Sequence, residues 1–226
     1  MKQRSIAPSG KIIASALAAA LLLPATTLAQ DPFDLLPETT RSALTACDVD
    51  ADEANDLLAL DPQAFDQDFS GGWRPLGDRD CHAAAAGLIL AYIHHTDFTL
   101  SEGHVRLMRW HAGQMLANGG DYAGAIDLLG DTYQPEGDNA AWNFYVDATL
   151  AFLRRDRDGL ETARDQLSRV PVSEEDQAAR RQFLRDNPRI RMPRGFVTEP
   201  DNLPVVNRLL ECFEADYETA YMGECD

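Results

Sequence analysis

Five histidines are the residues of this 226-residue chain best suited to chemistry. They are His82, His94, His95, His104 and His111. Imidazole is the commonest protein ligand of zinc and copper, so such a group could hold a metal. The spacing argues against it, because H-E-x-x-H is absent and the adjacent His94 and His95 point to different faces of a helix. The sequence therefore predicts no metal site. A metal-binding protein or enzyme that uses the histidines between residues 82 and 111 is the alternative hypothesis.

No other arrangement of residues matches a catalytic or cofactor-binding motif. The stretch DVDADEANDLLA from Asp48 begins like a calcium loop, but Glu53 stands where the loop needs Gly and Ala59 where it needs a carboxylate. Motifs of serine nucleophiles and of phosphate or dinucleotide binding are absent. Cys81 and His82 are neighbours, and successive helix residues diverge, so they have the wrong geometry for a nucleophile and its base. We therefore expect no catalysis and no cofactor.

The first 29 residues have the pattern of a secretory signal peptide. Lys2, Arg4 and Lys11 come before or at the start of an apolar run over residues 12–23, and Ala29 offers a small residue at a cleavage position. The run is too short to span a bilayer, which takes about 20 residues. Cleavage near Ala29 predicts a periplasmic or secreted protein without membrane insertion.

Net charge limits the partners of the chain. The chain has 20 basic and 37 acidic residues, and loss of the first 29 residues removes three basic ones and leaves a net charge of −20. Such a chain repels nucleic acid and anionic lipid headgroups. The segment from Arg180 to Arg194 is the exception, with six arginines and one acid. We expect it to neutralise the acidic N-terminal part by intramolecular pairing, with an anionic peptide or glycan as the alternative partner.

Four cysteines follow the predicted signal peptide, at Cys47, Cys81, Cys212 and Cys225. An even number in an oxidising compartment predicts two disulfides, and buried free thiols are the alternative. Three pairings are possible, and chain proximity favours Cys47 with Cys81 and Cys212 with Cys225. Because no C-x-x-C occurs, we expect these disulfides to stabilise the fold rather than to act in redox catalysis.

Helices must position these residues, because the periodicity is helical and no convincing strand is found. Composition divides the chain after the signal peptide into three parts. Residues 30–80 form an acidic, loop-rich lead-in with short helices, and residues 81–186 form a helical core. Residues 187–226 are predicted to be a loop followed by a C-terminal capping helix, whose apolar stripe runs over residues 206–217.

Polar residues and glycines mark the ends of the predicted helices. Short helices are expected over residues 38–46 and 52–60. The expected N-caps of later helices are Ser101, Asp121, Asp138 and Ser173. Gly119 and Gly120 must end the helix that begins at Ser101. Short turns of this kind predict that neighbouring helices are antiparallel.

Close packing of antiparallel helices needs small residues where they cross. Gly113 and Ala125 stand where the helices before and after Gly120 are expected to cross, and Tyr122 fills the space beside them. This stretch resembles the tetratricopeptide repeat, a 34-residue helix-turn-helix unit with small residues at fixed positions. A second, more divergent unit reads WNFYVDATLAFLRRDRDGLETARDQLSRVP. Its small-residue positions hold Leu150, Ala151 and Ala163.

The resemblance covers residues 106–171 and implies an all-α fold. It implies an array of antiparallel helix pairs, a tetratricopeptide-like solenoid with about two recognisable units plus flanking helices. Ala163 follows Ala125 by 38 residues instead of 34, so the second unit departs from the pattern. An ordinary helical bundle is the alternative fold.

The resemblance also implies a function in binding. Stacked helix pairs form a concave face that presents side chains to a partner. On this basis Gln114, Asn118 and Arg155 are expected to face the groove. We therefore expect an exported adaptor of the cell envelope that binds a protein or peptide. An envelope structural or stress protein with no defined ligand is a third hypothesis, and the sequence leaves the oligomeric state open.

Overall fold

The computed structural model describes residues 31–135, 140–192 and 195–225. In these residues the chain is helical and has no β-strand, as the sequence predicts. A 3₁₀ turn at Pro32–Leu35 and a π-helical turn at Gln63–Gln67 accompany the α-helices. The α-helices are α1 (Glu38–Ala46), α2 (Ala51–Leu58), α3 (Arg74–Gly77), α4 (His82–His95), α5 (Glu102–Asn118), α6 (Tyr122–Gly130), α7 (Ala140–Leu153), α8 (Arg157–Ser168), α9 (Glu174–Asp186), α10 (Leu203–Glu211) and α11 (Tyr217–Met222).

Local hydrogen bonds set the ends of several helices. The side chains of Ser101, Asp121 and Ser173 each accept a hydrogen bond from the backbone N–H three residues later, so these predicted N-caps of α5, α6 and α9 are confirmed. α5 ends at Asn118, because Gly120 takes a left-handed φ of 81° that residues with a side chain rarely adopt. The predicted cap Asp138 lies outside the described residues.

One hydrophobic cluster joins the acidic N-terminal part to α4. Apolar side chains from residues 36–76 pack against α4 and one side of α5. Phe65 and Tyr92 are completely buried there, with ring centroids 3.8 Å apart, and the Tyr92 hydroxyl donates a hydrogen bond to the Leu60 carbonyl at 2.6 Å. The chain from residue 31 onward is one compact unit. The predicted boundary at residue 80 is therefore a change of composition within one folded body.

A second hydrophobic cluster contains the C-terminal helices, and α5 contributes to both clusters. Met108 and Ala112 of α5 belong to the first cluster, whereas Trp110 and Ala117 belong to the second, together with residues of α6, α7, α8, α10 and α11. A helix that is buried on two sides has no single apolar stripe. The most extensive helix pairings are α7 with α8, α4 with α5, and α5 with α6.

The crossing of α5 and α6 depends on a glycine, but its neighbour differs from the expected one. A Cβ atom on Gly113 would lie 2.7 Å from the side chain of Leu129, closer than real Cβ contacts come. The sequence predicts Ala125 at this place. Ala125 and Leu129 lie one helical turn apart on the same face of α6, and the structure sets the Leu129 side chain against Gly113.

The other residues assigned to repeat packing lie in the second cluster. Ala125, Leu150, Ala151 and Ala163 are buried, and Tyr122 packs against them while partly exposed. Two helix pairs, α5 with α6 and α7 with α8, therefore bury the small residues that the resemblance selects. That these pairs form a tetratricopeptide-like array stays a prediction.

The C-terminal part contains two helices where the sequence predicts one. α10 ends at Glu211, and α11 begins after Asp216, whose side chain caps it by accepting a hydrogen bond from the Thr219 N–H at 2.8 Å. The periodic apolar residues thus belong to two helices and the turn between them. They resemble the stripe of one helix because all of them pack into the same core.

Two disulfides join parts of this fold. Cys47 is bonded to Cys81 and Cys212 to Cys225, with Cα atoms 6.0 and 5.6 Å apart. The pairing favoured by chain proximity is therefore confirmed, and no cysteine is free in the described residues. The first bond ties the end of α1 to the start of α4, and the second ties the end of α10 to the segment after α11.

None of the described helices combines the length and apolar character needed to cross a membrane. The predicted signal peptide, residues 1–29, lies outside the described residues.

Candidate functional site

A cavity of about 550 Å³ is lined by α3, the C-terminal part of α5 and α11. Its apolar side chains are Trp73, Met115 and Met222. Its charged side chains are Asp78, Asp80, Glu218, Glu224 and Arg74. The size is in the range of small-ligand and side-chain pockets. With four carboxylates against one guanidinium, the cavity favours a cationic group.

The arginine of the cavity, Arg74, contacts an aromatic ring and a backbone carbonyl. The Arg74 guanidinium lies 4.4 Å from the ring centroid of Trp73 and donates a hydrogen bond to the backbone carbonyl of Asp66. Among the described residues it makes no ion pair with a carboxylate of the cavity. Arg74 is therefore not paired with the acids of the cavity in the part of the chain that the structure describes.

Three potential metal ligands meet at one side of the cavity. Asp80, His82 and Glu218 each bring a ligand atom to within 4.8 Å of the other two. The Nε2 atom of His82 lies 3.4 Å from Oε1 of Glu218, and the His82 side chain is only 7% exposed whereas that of Glu218 is 46% exposed. Imidazole nitrogen and carboxylate oxygen are both ligands of zinc. These residues therefore form a candidate metal centre.

A charged residue outside the cavity lining, Asp66 of the π-helical turn, is buried next to Trp73. Asp66 is 2% exposed and accepts hydrogen bonds from the Trp73 indole at 2.9 Å and the Gln67 amide at 2.6 Å. The Nδ1 atom of His111 lies 2.7 Å from its Oδ1 atom. Burial alone would raise the pKa of Asp66, but the hydrogen bond and charge of His111, with the bonds from Trp73 and Gln67, lower this pKa below its usual value of 3.8.

A carboxylate that orients a histidine occurs in many hydrolases, where the histidine activates a nucleophile. In the described part of the chain no hydroxyl or thiol group is hydrogen-bonded to His111. Trp73 instead packs beside the imidazole, with ring centroids 5.5 Å apart. We therefore interpret Asp66 and His111 as a buried pair that fixes α5 to the π-helical turn.

The five histidines do not form one cluster. His82 belongs to the candidate metal centre and His111 to the buried pair with Asp66. The other three, His94, His95 and His104, are exposed at the end of α4 and the start of α5. A single site built from all histidines between residues 82 and 111 is therefore not present, because the helices carry them to different ends and faces.

Two of the three residues expected to face a groove contact the C-terminal helices instead. The Gln114 side chain donates a hydrogen bond to the Tyr217 hydroxyl at 3.4 Å, and the Arg155 guanidinium donates one to the Phe213 carbonyl. Only Asn118 lines the cavity. The C-terminal helices α10 and α11 pack on α5, α7 and α8, and this packing buries their apolar residues.

The arginine-rich segment does not pair with the acidic N-terminal part in the described residues. Arg180 donates hydrogen bonds to the carbonyls of Phe196 and Glu199 and forms an ion pair with Asp201 at 3.0 Å. No described ion pair joins the arginines of this segment to residues 31–80. Arg194 lies outside the described residues. The expected intramolecular neutralisation is therefore not seen, since the partners of Arg180 come from the loop that follows α9.

Sequence reasoning did not single out three acids of these sites. Asp80 and His82 flank Cys81, so the disulfide and the local spacing could have drawn attention to both. Asp66 stands among many acids of the N-terminal part, and nothing in its neighbours distinguishes it. Glu218 comes from the other end of the chain, and only the fold brings it to His82.

Comparison of the chain with protein-family models, with curated proteins and with solved structures found no match. The fold and the chemistry of the cavity therefore carry any functional conclusion.

Proposed function

We propose that this protein is an exported, non-catalytic binding module of the cell envelope whose cavity receives a positively charged segment of a protein or peptide. The observation that carries this proposal is the lining of the cavity, which sets four carboxylates around apolar side chains. A lysine or arginine can lay its methylene groups on apolar side chains while its charged head contacts carboxylates.

Individual residues of the cavity suit such a ligand. Met222 is 60% exposed and Met115 is partly exposed, so both offer flexible apolar surface. Asn118, expected from the sequence to contact a partner, adds an amide that can donate and accept hydrogen bonds. The net charge of the chain also steers a cationic partner toward the surface, an effect that weakens as salt is added.

Export to the periplasm or the exterior is part of this proposal. Its support is the pattern of the first 29 residues together with two disulfides, which persist in oxidising compartments. The tetratricopeptide-like arrangement of α5–α6 and α7–α8 is likewise proposed, on the small residues these helices bury. In this protein the C-terminal helix α11 contacts α5, so the proposed binding site lies beside α11 rather than in an open groove.

A labelled ten-residue peptide of alternating arginine and leucine serves as the probe, with a glutamate–leucine peptide as the reference. We expect the basic peptide alone to bind, and the double variant Asp78→Asn, Glu224→Gln to bind it about tenfold more weakly, since each exposed ion pair contributes up to about 1 kcal/mol. Fluorescence anisotropy in the presence of EDTA measures the Kd without metal ions.

The matched control is the double variant Asp56→Asn, Asp127→Asn, which removes two exposed acids outside the cavity. This control removes the same number of negative charges. Any change in its Kd therefore measures the effect of net charge on binding, without a change in the cavity. Equal Kd values for the two double variants would contradict the cavity as the binding site. Binding of the acidic peptide with similar affinity would contradict the proposal as a whole.

A further inference from the structure

We propose that Asp80, His82 and Glu218 bind one divalent transition-metal ion of the zinc class at the wall of the cavity. The three ligand atoms lie within 4.8 Å of one another. In a tetrahedral zinc site with bonds of about 2.0–2.1 Å, ligand atoms are about 3.3 Å apart. The 3.4 Å between His82 Nε2 and Glu218 Oε1 matches this spacing.

The structure holds two of the three ligands in place through neighbouring residues. His82 is the first residue of α4, and a Cβ atom on Gly119 would lie 3.2 Å from the Cβ of His82, so the end of α5 packs closely against the base of this side chain. Between Asp80 and His82 stands Cys81, which the disulfide fixes to Cys47. Asp80 has a left-handed φ of 59°, and its N–H donates to the Gly77 carbonyl at 3.0 Å.

The third ligand comes from the first turn of α11. The side chain of Asp216 caps this helix, and the disulfide between Cys212 and Cys225 closes the segment that contains it. The Glu218 side chain is about half exposed, so its carboxylate has room to close the remaining distance to Asp80. A metal bound here would join the start of α4 to α11 and thereby stabilise the C-terminal segment.

The ligand set selects the class of metal. One imidazole nitrogen with two carboxylates suits zinc and similar ions, whereas calcium takes six to eight oxygens and magnesium keeps most of its waters. Asp80 and Glu218 line the cavity, so a fourth coordination position would open toward solvent and take water. The two carboxylates supply the negative charge that a divalent cation requires. This site stands on its own geometry and does not depend on the peptide-binding proposal.

The test is a titration of the metal-free, tag-free exported chain with Zn²⁺, followed by calorimetry. We expect one Zn²⁺ per chain at micromolar Kd or tighter, and a loss of affinity of about tenfold or more in His82→Gln and in Glu218→Gln. Zn²⁺ should also raise the Tm of the wild type and not that of the variants, because a ligand that binds only the folded state stabilises it.

His82 is buried, so its variant could fail to fold; Asp80→Asn and Glu218→Gln, which change exposed or half-exposed side chains, test the site without touching the core. Asp56→Asn is the matched control, since Asp56 is exposed on α2 outside the cavity and should leave Zn²⁺ affinity unchanged. Three results would each overturn the proposal: no Zn²⁺ uptake, uptake unchanged in both exposed variants, or equal affinity for Mg²⁺ and Zn²⁺, the behaviour of an acidic surface alone.

Discussion

The Asp66 carboxylate is buried beside Trp73 and His111. A carboxylate that is 2% exposed carries a large desolvation cost, which hydrogen bonds from its neighbours must offset. Trp73, Gln67 and His111 surround it, and Trp73 is also part of the cavity lining. The pair of Asp66 and His111 thus helps to hold Trp73, which lines the proposed binding site.

Replacement of Asp66 by asparagine should lower the free energy of unfolding by about 2 kcal/mol at pH 7, because the hydrogen bonds of its neighbours to a charged acceptor are lost. The pKa of Asp66 is lowered in the folded protein. The stabilisation from its charge is therefore complete above the ordinary carboxyl pKa of 3.8 and is lost as the pH falls through the lower, folded pKa. Urea unfolding between pH 7 and pH 3 measures the difference between wild type and variant, which should shrink toward low pH.

Other carboxylates with lowered pKa values, among them Asp68 and Asp216, are present in both proteins, so the difference between the two isolates Asp66. Asp56→Asn, at an exposed position of α2, is the control and should change stability little. A constant difference across the pH range would show that the charge of Asp66 does not stabilise the fold.

At the scale of the elements, α5 determines how the parts of the fold meet. It contributes buried residues to both hydrophobic clusters, carries His111 and Gln114, and ends beside the cavity with Asn118. Its contact with α6 is close because Gly113 has no side chain at the crossing. Small changes at this crossing should therefore move α6 away from α5.

Gly113→Ala is expected to lower the free energy of unfolding by about 1–3 kcal/mol, the usual cost of overpacking. The added Cβ would lie 2.7 Å from Leu129, whose side chain is completely buried and has little room to move. The matched control is Gly130→Ala at the end of α6, where nothing lies within 4 Å of the new Cβ. Thermal unfolding of both variants checks the prediction, and a Gly113→Ala protein as stable as Gly130→Ala would contradict the close crossing.

At the scale of the whole molecule, the two disulfides secure the segments that carry the candidate sites. One holds Cys81 between Asp80 and His82, and the other encloses α11 with Glu218. Both stretches flank the cavity, and the second contributes Phe213, Tyr217 and Ala220 to the second hydrophobic cluster. The covalent bonds add to this packing by restricting the unfolded chain.

Removal of each disulfide by a double Cys→Ser change should lower the free energy of unfolding, and the decrease should be greater for the disulfide that closes the longer loop. The bond from Cys47 to Cys81 spans a sequence separation of 34 and the bond from Cys212 to Cys225 one of 13. The chain-entropy relation gives about 4 and about 3 kcal/mol, respectively. Guanidinium unfolding of both variants, compared with that of the oxidised wild type, measures these differences in the free energy of unfolding. A larger loss for the shorter loop would mean that strain or local packing outweighs chain entropy.

Helix positions were readable from the sequence because the hydrogen bonds that set them are local. Ser101, Asp121 and Ser173 cap helices by bonds to residues three positions away, and Gly120 ends α5 by its own backbone conformation. The crossing partner of Gly113 could not be predicted, since Ala125 and Leu129 share one face of α6 and only the offset between the two helices selects Leu129. The division of the C-terminal segment into α10 and α11 is not predicted from the sequence. The apolar residues of both helices pack into one core, so their spacing resembles that of one helix.

The sequence by itself determined an all-helical chain, most helix ends and an even set of cysteines whose nearest-neighbour pairing proved right. These features depend on contacts between residues close in the chain. Only the tertiary structure decided that Glu218 lies beside His82, that Asp66 is buried against His111, and that Tyr217 covers Gln114. Each of these contacts joins distant parts of the chain, and a sequence pattern carries no information on which buried faces will share one core.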